Sequence, residues 1–511
     1  PNAIAFNIVI DAYAKSDKKG AANRAEELLN SMAQLYAAGE VDVKPNIVSY
    51  VSTIDAWAKA GNVQRAQAIL DQIEERYLAG DNDLKPSSIA YSTVLNAWAK
   101  SGKEGSGEMA LKSLKRLYDM CSAGNDAVTL SARLFNTVID AMKNDPRSNV
   151  YQIEDVVQWM KEIHEKGEHV NVLPDSITYT SLIAAWANSG EPNSVTRAEE
   201  ILYMMENHET AKPTTVSYAV VLNALAKSRN YPDAALCAER LLDRMEYLNS
   251  IGYEEISPNA VCFTSVINAW GNSRKRNAGE KIDAILRKMW SLHNRGKKEV
   301  KPNAITYASV INSLARSRRS DKAKRAKDYL NEIVGIYRSG DKDLKPNTFL
   351  FNAVLGACIS TRGSDKVASE AFEIALDTYN EMREREFTRP DAYTYGSLLK
   401  ACDSLLPRND PNGIRDDHGI TLFRACCEDG LLTANVLSFL MKCVSKQAFL
   451  GIHERAKMNG ASKCNAEDIM EQLPQEWSRN APKQINKDKR RTLSKMRSSG
   501  RRLRKEGGVF R

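Results

Sequence analysis

Few residues in this 511-residue sequence carry chemistry by themselves. It has nine cysteines (Cys121, Cys237, Cys262, Cys358, Cys402, Cys426, Cys427, Cys443 and Cys464), none spaced as CxxC and with no regular interval between them. An odd, irregular set argues against a disulfide framework or thiolate zinc site. It suits a reducing compartment, with most of the thiols acting as small buried hydrophobes. The six histidines form no HExxH, and no HxE accompanies a PCxxC, so zinc-peptidase and zinc-deaminase chemistry lack their ligands. No run of about 18 apolar residues occurs, so no membrane-crossing helix is expected. Asp410, Asp416 and Asp417 could hold a cation, but a solvated loop is the ordinary reading of such a cluster. No metal, cofactor or catalytic residue is assigned.

Charge is balanced except at one end. Residues 478–511 hold 13 of the 72 Lys and Arg and 2 of the 64 Asp and Glu, leaving the tail at +11 and the rest of the chain at −3. The stretch NKDKRRTLSKMRSSGRRLRKEGG (486–508) reads as a disordered basic tail. It either attracts phosphate without sequence preference or is a solubilising or sorting segment. Residues 451–477 read as a linker.

What is present is a period. Prolines stand at 1, 45, 86, 174, 213, 258, 302, 346 and 390, at intervals of 39–45 residues with one gap of 88. That gap is filled by LSARLFNTVIDAM (130–142), where Leu130 replaces proline. A fixed interval of this size marks a stacked array. Proline ends the preceding element. The next residue is a good helix cap each time: Asn46, Ser87, Ser131, Asp175, Thr214, Asn259, Asn303, Asn347 and Asp391. An amphipathic helix follows. In KPSSIAYSTVLNAWAKSG (85–102), Tyr91, Val94, Leu95 and Trp98 form one apolar face. Glycine stops the helix, as at Gly61 and Gly102, and a second helix follows, as in VQRAQAILDQIEERYL (63–78).

Neither helix buries its face alone, so neighbours must stack. The expectation is an all-α solenoid, a superhelix of stacked antiparallel helix pairs. Nine repeats occupy 1–391, beginning near 3, 47, 88, 132, 176, 215, 260, 304 and 348. A degenerate tenth repeat and capping helices occupy 392–450. The second half of the tenth is expected to be displaced by the polar insert PRNDPNGIRDDHG (407–419), with a final helix near 433–446. The extra residues of these long repeats are assigned to the inter-helix turn, as in KSDKKGAAN (15–23), and to a longer second helix with its exit turn. Pro1 already occupies a repeat position, so the sequence is expected to be trimmed, with any targeting segment outside it.

The face of the first helix opposite the core also repeats. Ile89, Ser92, Asn96 and Lys100 form one stripe. The same order recurs as Ile4, Asn7, Asp11, Lys15; as Val48, Val51, Asp55, Lys59; as Val216, Ala219, Asn223, Lys227; and as Ile305, Ala308, Asn312, Arg316. Each member has a plain structural reading: an apolar residue packs on its neighbour, a cap caps, and a lysine favours a helix C-terminus. Those readings do not require the joint recurrence, and side by side the stripes would make a groove.

The KPN-style starts, Tyr50, Tyr91, Tyr179, Tyr218 and Tyr307, and the D/N-A-x-A-K run after them resemble the pentatricopeptide-repeat family. The match covers residues 1 to about 405, with a longer unit than the family's usual one. The resemblance implies a monomeric, non-enzymatic protein that binds single-stranded RNA at roughly one base per repeat. It implies work in organellar RNA processing, stability or translation, in mitochondrion or plastid. Ile4, Val48, Ile89, Ile177, Val216, Val261, Ile305 and Phe349 would wedge between bases, with Arg133 in the fourth repeat. Base edges would be read by Asn7 with Asn46, Ser92 with Ser131, Asn136 with Asp175, Thr180 with Thr214, Thr264 with Asn303, and Asn352 with Asp391. Asn259 and Asn347 face Ala219 and Ala308, and Ser87 faces Val51, so those repeats would discriminate poorly. Lys15, Lys59, Lys100, Lys227 and Arg316 would hold phosphate. The implied target is 5′-Y-N-N-U-N-N-A-N-U-3′. Asn136→Thr is expected to move the fourth position from U towards G with folding nearly untouched, as for an exposed surface change. A protein-binding helical scaffold is the alternative reading, and an RNA nuclease a more distant one. A peptide groove has no reason to keep a small polar residue and a cation at fixed places.

Overall fold

The computed structural model describes residues 2–449, 466–470 and 473–482, except positions 17, 126, 168–169, 229–230, 232, 274, 318, 385–386 and 409–412. The basic tail from 483, Cys464, Asp410 and most of 451–472 lie outside the described residues. Among those described, every regular element is helical, and the fold is a helical-repeat solenoid. Leading helices begin at Ala3, Ile47, Ser88, Ala132, Ser176, Thr215, Ala260, Ala304, Thr348 and Ala392, each followed by a trailing helix. The chain divides into two compact bodies, Pro1–Ala269 and Trp270–Arg511. No helix among the described residues is long and apolar enough to cross a membrane.

Each repeat starts at its cap. The side chains of Asn46, Asp175, Asn303 and Asp391 accept from the third residue's amide, and Ser49, Thr178, Thr306 and Thr394 bond back in reciprocal capping boxes. Ser87 and Asn347 accept the same amide bond. Gly102, in the left-handed conformation (φ 54°), stops the third leading helix where sequence placed its end.

The repeat tyrosine is core, with a polar duty. Tyr91, Tyr179, Tyr218, Tyr307 and Tyr395 are buried. Their hydroxyls need partners when dry. Tyr91 donates to Glu74 of the preceding trailing helix (2.7 Å), Tyr307 to Glu332 (2.7 Å), Tyr395 to Asp429 (2.5 Å) and Tyr218 to Glu206. Burial pushes the Glu74 carboxyl up, while the Tyr91 hydroxyl and Arg116 pull it down. Six of the eight described cysteines are buried, and Cys121 and Cys237 are half-buried.

The extra length of each repeat sits in the trailing helix and exit turn. The stretch 15–23, expected as an enlarged inter-helix turn, is already helical from Ala21, because Ala21, Ala22 and Ala25 pack into the core. The exit is a single 3-10 turn: Val41–Val43, Asn82–Leu84, Lys298–Val300 or Lys342–Leu344. Its last residue is buried each time, as Val43, Leu84, Val300 and Leu344. The lysine before the proline then reaches the exit turn of the next repeat. Lys44 Nζ meets Asp81 (3.3 Å) and Asp83 (2.5 Å), and Lys301 Nζ meets Asp341 (2.7 Å) and Asp343 (3.2 Å).

The end of the chain departs from expectation. The trailing helix of the tenth repeat is Ile414–Glu428, so much of the insert 407–419 is helix rather than a displaced loop. Burial of Arg415 explains this: it pairs with Asp403 and donates to the Lys442 carbonyl (3.2 Å). Asp416, one of the three clustered acids, accepts from the Ser445 amide (2.8 Å) and hydroxyl (2.5 Å). Among the described residues no group of His, Cys, Asp and Glu is placed to hold a metal. The capping helix expected at 433–446 is Ala434–Cys443, and a short helix Ala466–Met470 follows it. The assigned linker 451–477 is not all linker, since Ile469 and Leu473 are buried. The Trp477 carbonyl accepts from Leu432 (2.8 Å), and its ring stands edge-on to Phe423.

The exit turn generates a test of what holds a repeat together. Leu344→Ala should destabilise the protein by about 2–5 kcal/mol, as for a fully buried leucine. Lys301→Ala should cost less than about 1 kcal/mol, because its ion pairs reach solvent. Urea denaturation of the two variants checks the ranking.

Candidate functional site

The leading helix presents one face to the core, and its second residue falls off that face. Ile4, Val48, Ile89, Ile177, Val216, Val261, Ile305 and Phe349 are each 53–68% exposed. The alternative, that they pack on neighbouring repeats, does not hold. Arg133 takes this place in the fourth repeat and is exposed. Tyr393, 65% exposed, takes it in the tenth and escaped the sequence reading. The signal was present in AYTYGSLL, where Tyr393 follows the cap as Ile89 does, but attention falls on the core tyrosine two residues later. Isolated exposed apolar residues need no explanation, whereas a residue of this type at one helical position in repeat after repeat does.

Three of the proposed reading pairs form one and the same hydrogen-bonded unit. The amide of Asn7 donates to Asn46 Oδ1 (3.2 Å), that of Asn136 to Asp175 Oδ1 (3.1 Å) and that of Asn352 to Asp391 Oδ1 (3.3 Å). The hydroxyl three residues after each cap donates to the fifth-position oxygen: Ser49 to Asn7 (2.6 Å), Thr178 to Asn136 (2.7 Å) and Thr394 to Asn352 (2.8 Å). The cap oxygen is therefore spent on the fold. In Asp175 and Asp391 this leaves Oδ2 to accept. In Asn46 it leaves the amide nitrogen to donate.

The other candidates behave differently. Thr180 donates to the Ser176 carbonyl and lies 2.7 Å from the Ser217 hydroxyl, which also contacts Thr214 at 3.3 Å, so Ser217 bridges that pair. Ser92 turns back onto the Ile89 carbonyl (3.0 Å), and Ser131 makes no side-chain cap bond, so these two are not joined. Asn259, Asn303 and Asn347 cap their helices through Oδ1. Ala308, opposite Asn347, is fully buried. Thr264 and Asn303 belong to different compact bodies.

The cations divide as well. Lys100 and Lys227 stand exposed near their helix ends. Lys15 and Lys59 pair with Asp11 (2.7 Å) and Asp55 (2.6 Å) of their own stripes. Exposed pairs of this kind are worth less than about 1 kcal/mol, so a phosphate could displace the acid. Arg316 is turned inward, donating to the Gly271 carbonyl (3.4 Å) and the Ser313 hydroxyl (3.3 Å).

The pentatricopeptide repeat domain family matches residues 37–101 and 160–228. No curated protein matches the chain. Among solved structures it is similar to the pentatricopeptide repeat protein PPR10 in complex with an 18-nt psaJ RNA element, at 19% identity and TM-score 0.38, covering 91% of this chain and 60% of that one. A structure of PPR10 from maize matches at 19% identity and TM-score 0.42, covering 88% of this chain and 67% of that one. The chain thus spans about 60% of the length of the complexed structure it resembles.

Asn136 is only 8% exposed, which corrects the expectation that its replacement is a surface change. Asn136→Thr removes its bonds to Asp175 and Thr178. It should lower stability by about 0.5–1.5 kcal/mol for each bond not remade. Chemical denaturation of the variant beside wild type measures this.

Proposed function

The chain is a pentatricopeptide-repeat protein, and on that premise we propose that it binds single-stranded RNA sequence-selectively, roughly one base per repeat, along the exposed stripe of its leading helices. The observation that carries the reading is the recurrence, at fixed positions, of an exposed apolar residue beside a hydrogen-bonded polar pair. Bases splayed from a single strand stack on such residues, while a duplex hides them. Unspent atoms of the pair then meet the base edge. The free carboxylate oxygen of Asp175 or Asp391 accepts, which suits the N3–H of uracil. The free amide of Asn46 donates, which suits a pyrimidine with an acceptor at N3. Exposed lysines such as Lys100 and Lys227 hold phosphates. The family resemblance carries the rest of the proposal: action on organellar transcripts, in their processing, stability or translation, in mitochondrion or plastid, and without catalysis by this chain.

Two measurements test this reading. Selection from a randomised RNA pool should return a single-stranded motif in which Asn136→Thr moves one position from U towards G. Equal affinity for a duplex of the selected sequence, or no shift at any position, would reject the stripe as the reader. Replacing Lys100 and Lys227 together with Ala should reduce the slope of log K against log salt by about 1.4. An unchanged slope would place the phosphates elsewhere.

A further inference from the structure

Two cysteines meet at the end of the array. Cys402 stands in the last turn of the leading helix Ala392–Leu405, and Cys443 is the last residue of the capping helix Ala434–Cys443 packed against it. Their thiols are in contact, Cys402 donating to Cys443. The helix Ile414–Glu428 leaves room for the second sulfur at Gly419, where a Cβ would lie 3.2 Å from Cys443 Sγ.

Cys443 also lines a cavity of about 540 Å³, with Asp403, Arg408, Arg415, Lys442 and Ser445 in the same wall. The acids of that wall are engaged, Asp403 by Arg415 and Asp416 by Ser445. Arg408 and Lys442 are exposed, so positive charge faces whatever enters. Arg415 is buried, its guanidinium stands beside Cys443, and its Nε has no partner among the described residues. A buried N–H without an acceptor is costly, and negative charge on the neighbouring sulfur offsets that cost. The hydrogen bond from Cys402 and the charge of Arg415 hold the Cys443 thiol below its ordinary range. The same hydrogen bond and burial push Cys402 up, so Cys402 keeps its proton. Burial moves Cys262 and Cys358 in the opposite sense to Cys443.

We propose that Cys443 and Cys402 form a thiol–disulfide exchange site, in which a small anionic disulfide such as oxidised glutathione enters the cavity and is reduced as the two sulfurs join. The carboxylates of the oxidant suit Arg408 and Lys442. The Cys443 thiolate attacks one sulfur of the oxidant, breaks its S–S bond and releases one glutathione thiolate, which takes up a proton. Cys402 then gives up its proton and attacks the Cys443 sulfur, expelling the second glutathione. Two thiols become one disulfide, and one oxidised glutathione becomes two glutathiones. The new bond ties the tenth leading helix to the capping helix and braces that end of the solenoid. This site is independent of the RNA-reading role.

The test incubates the full reduced chain with oxidised glutathione, quenches with an alkylating reagent and maps the cysteines by peptide mass spectrometry. In wild type the Cys402–Cys443 disulfide should form at least about ten-fold faster than the half-buried Cys121 and Cys237 acquire glutathione. Cys402→Ser should stop at the mixed disulfide, with one glutathione held on Cys443, and Cys443→Ser should leave Cys402 reduced. Hydroxyethyl disulfide, a neutral oxidant, should oxidise the pair at least about three-fold more slowly, once each oxidant is normalised to its rate with a free cysteine peptide. Modification of Cys121 or Cys237 ahead of Cys443 in wild type would overturn the site, and that comparison needs no variant to fold. A Cys402→Ser chain that gains glutathione elsewhere but not on Cys443 would overturn the order of attack. Equal normalised rates for the two oxidants would overturn the anionic class of the partner.

Discussion

The rest of the structure depends on one hydrogen-bond arrangement, the side-chain oxygen that caps most of the leading helices. A helix start leaves amide donors unsatisfied, and here a side chain immediately after proline accepts them. Asn46, Asp175, Asn303, Asn347 and Asp391 all do this. The cap thereby sits at a fixed place against the first turn, and at Asn46, Asp175 and Asp391 the preceding repeat's fifth residue docks onto it. Rigidity at that point comes from folding itself. A recognition pair built there needs no loop to order on binding, so little entropy is lost when a ligand arrives.

The same atoms explain why capping is compatible with the proposed reading role rather than a rival to it. In the asparagine–aspartate pairs, one carboxylate oxygen satisfies the helix and its neighbour, and the other has no partner among the described residues. The tyrosine works in the complementary direction. Its ring fills the core and its hydroxyl ties the leading helix to an acid on a trailing helix, as Tyr91 does with Glu74. A repeat that carries all three devices is thus fastened at its start by the cap, in its middle by the tyrosine, and at its exit by a buried Val or Leu, with a lysine reaching onward in two places, as Lys44 does to Asp81 and Lys301 to Asp341.

Much of this was legible in the sequence because it is periodic. Proline and cap spacing located the leading helices, and the position of Tyr91 relative to Ile89 told core from stripe. What escaped was local and non-periodic. Tyr393 was hidden beside Tyr395, and the polar run 407–419 read as loop because nothing in sequence announces that Arg415 finds Asp403 once folded. The burial of Asn136 was misjudged for a related reason. A polar residue on a stripe opposite the core looks exposed until the next repeat's cap closes over it. The lysine–aspartate ties were present as GDNDLKP and GDKDLKP, but a charge pair between repeats cannot be told from two solvated charges without the fold.

The unequal cost of change at the two reading positions follows from this packing. Exchanging aspartate for asparagine at a cap keeps the oxygen that the helix needs and alters only the outward atom, from acceptor to donor. Asn46 and Asp175 show both versions in the same hydrogen-bonded frame. Changing the fifth residue disturbs bonds on two repeats at once, because its amide and its oxygen are both engaged there. Recognition can therefore drift cheaply at the cap and only at a stability cost at the fifth position. Where that fifth residue is alanine, as at Ala219 and Ala308, the repeat keeps its cap and its apolar wall but loses half of its reading edge. On the RNA-reading role proposed above, such repeats would stack a base without choosing it, which would leave selectivity to the few places where both side chains are polar and joined.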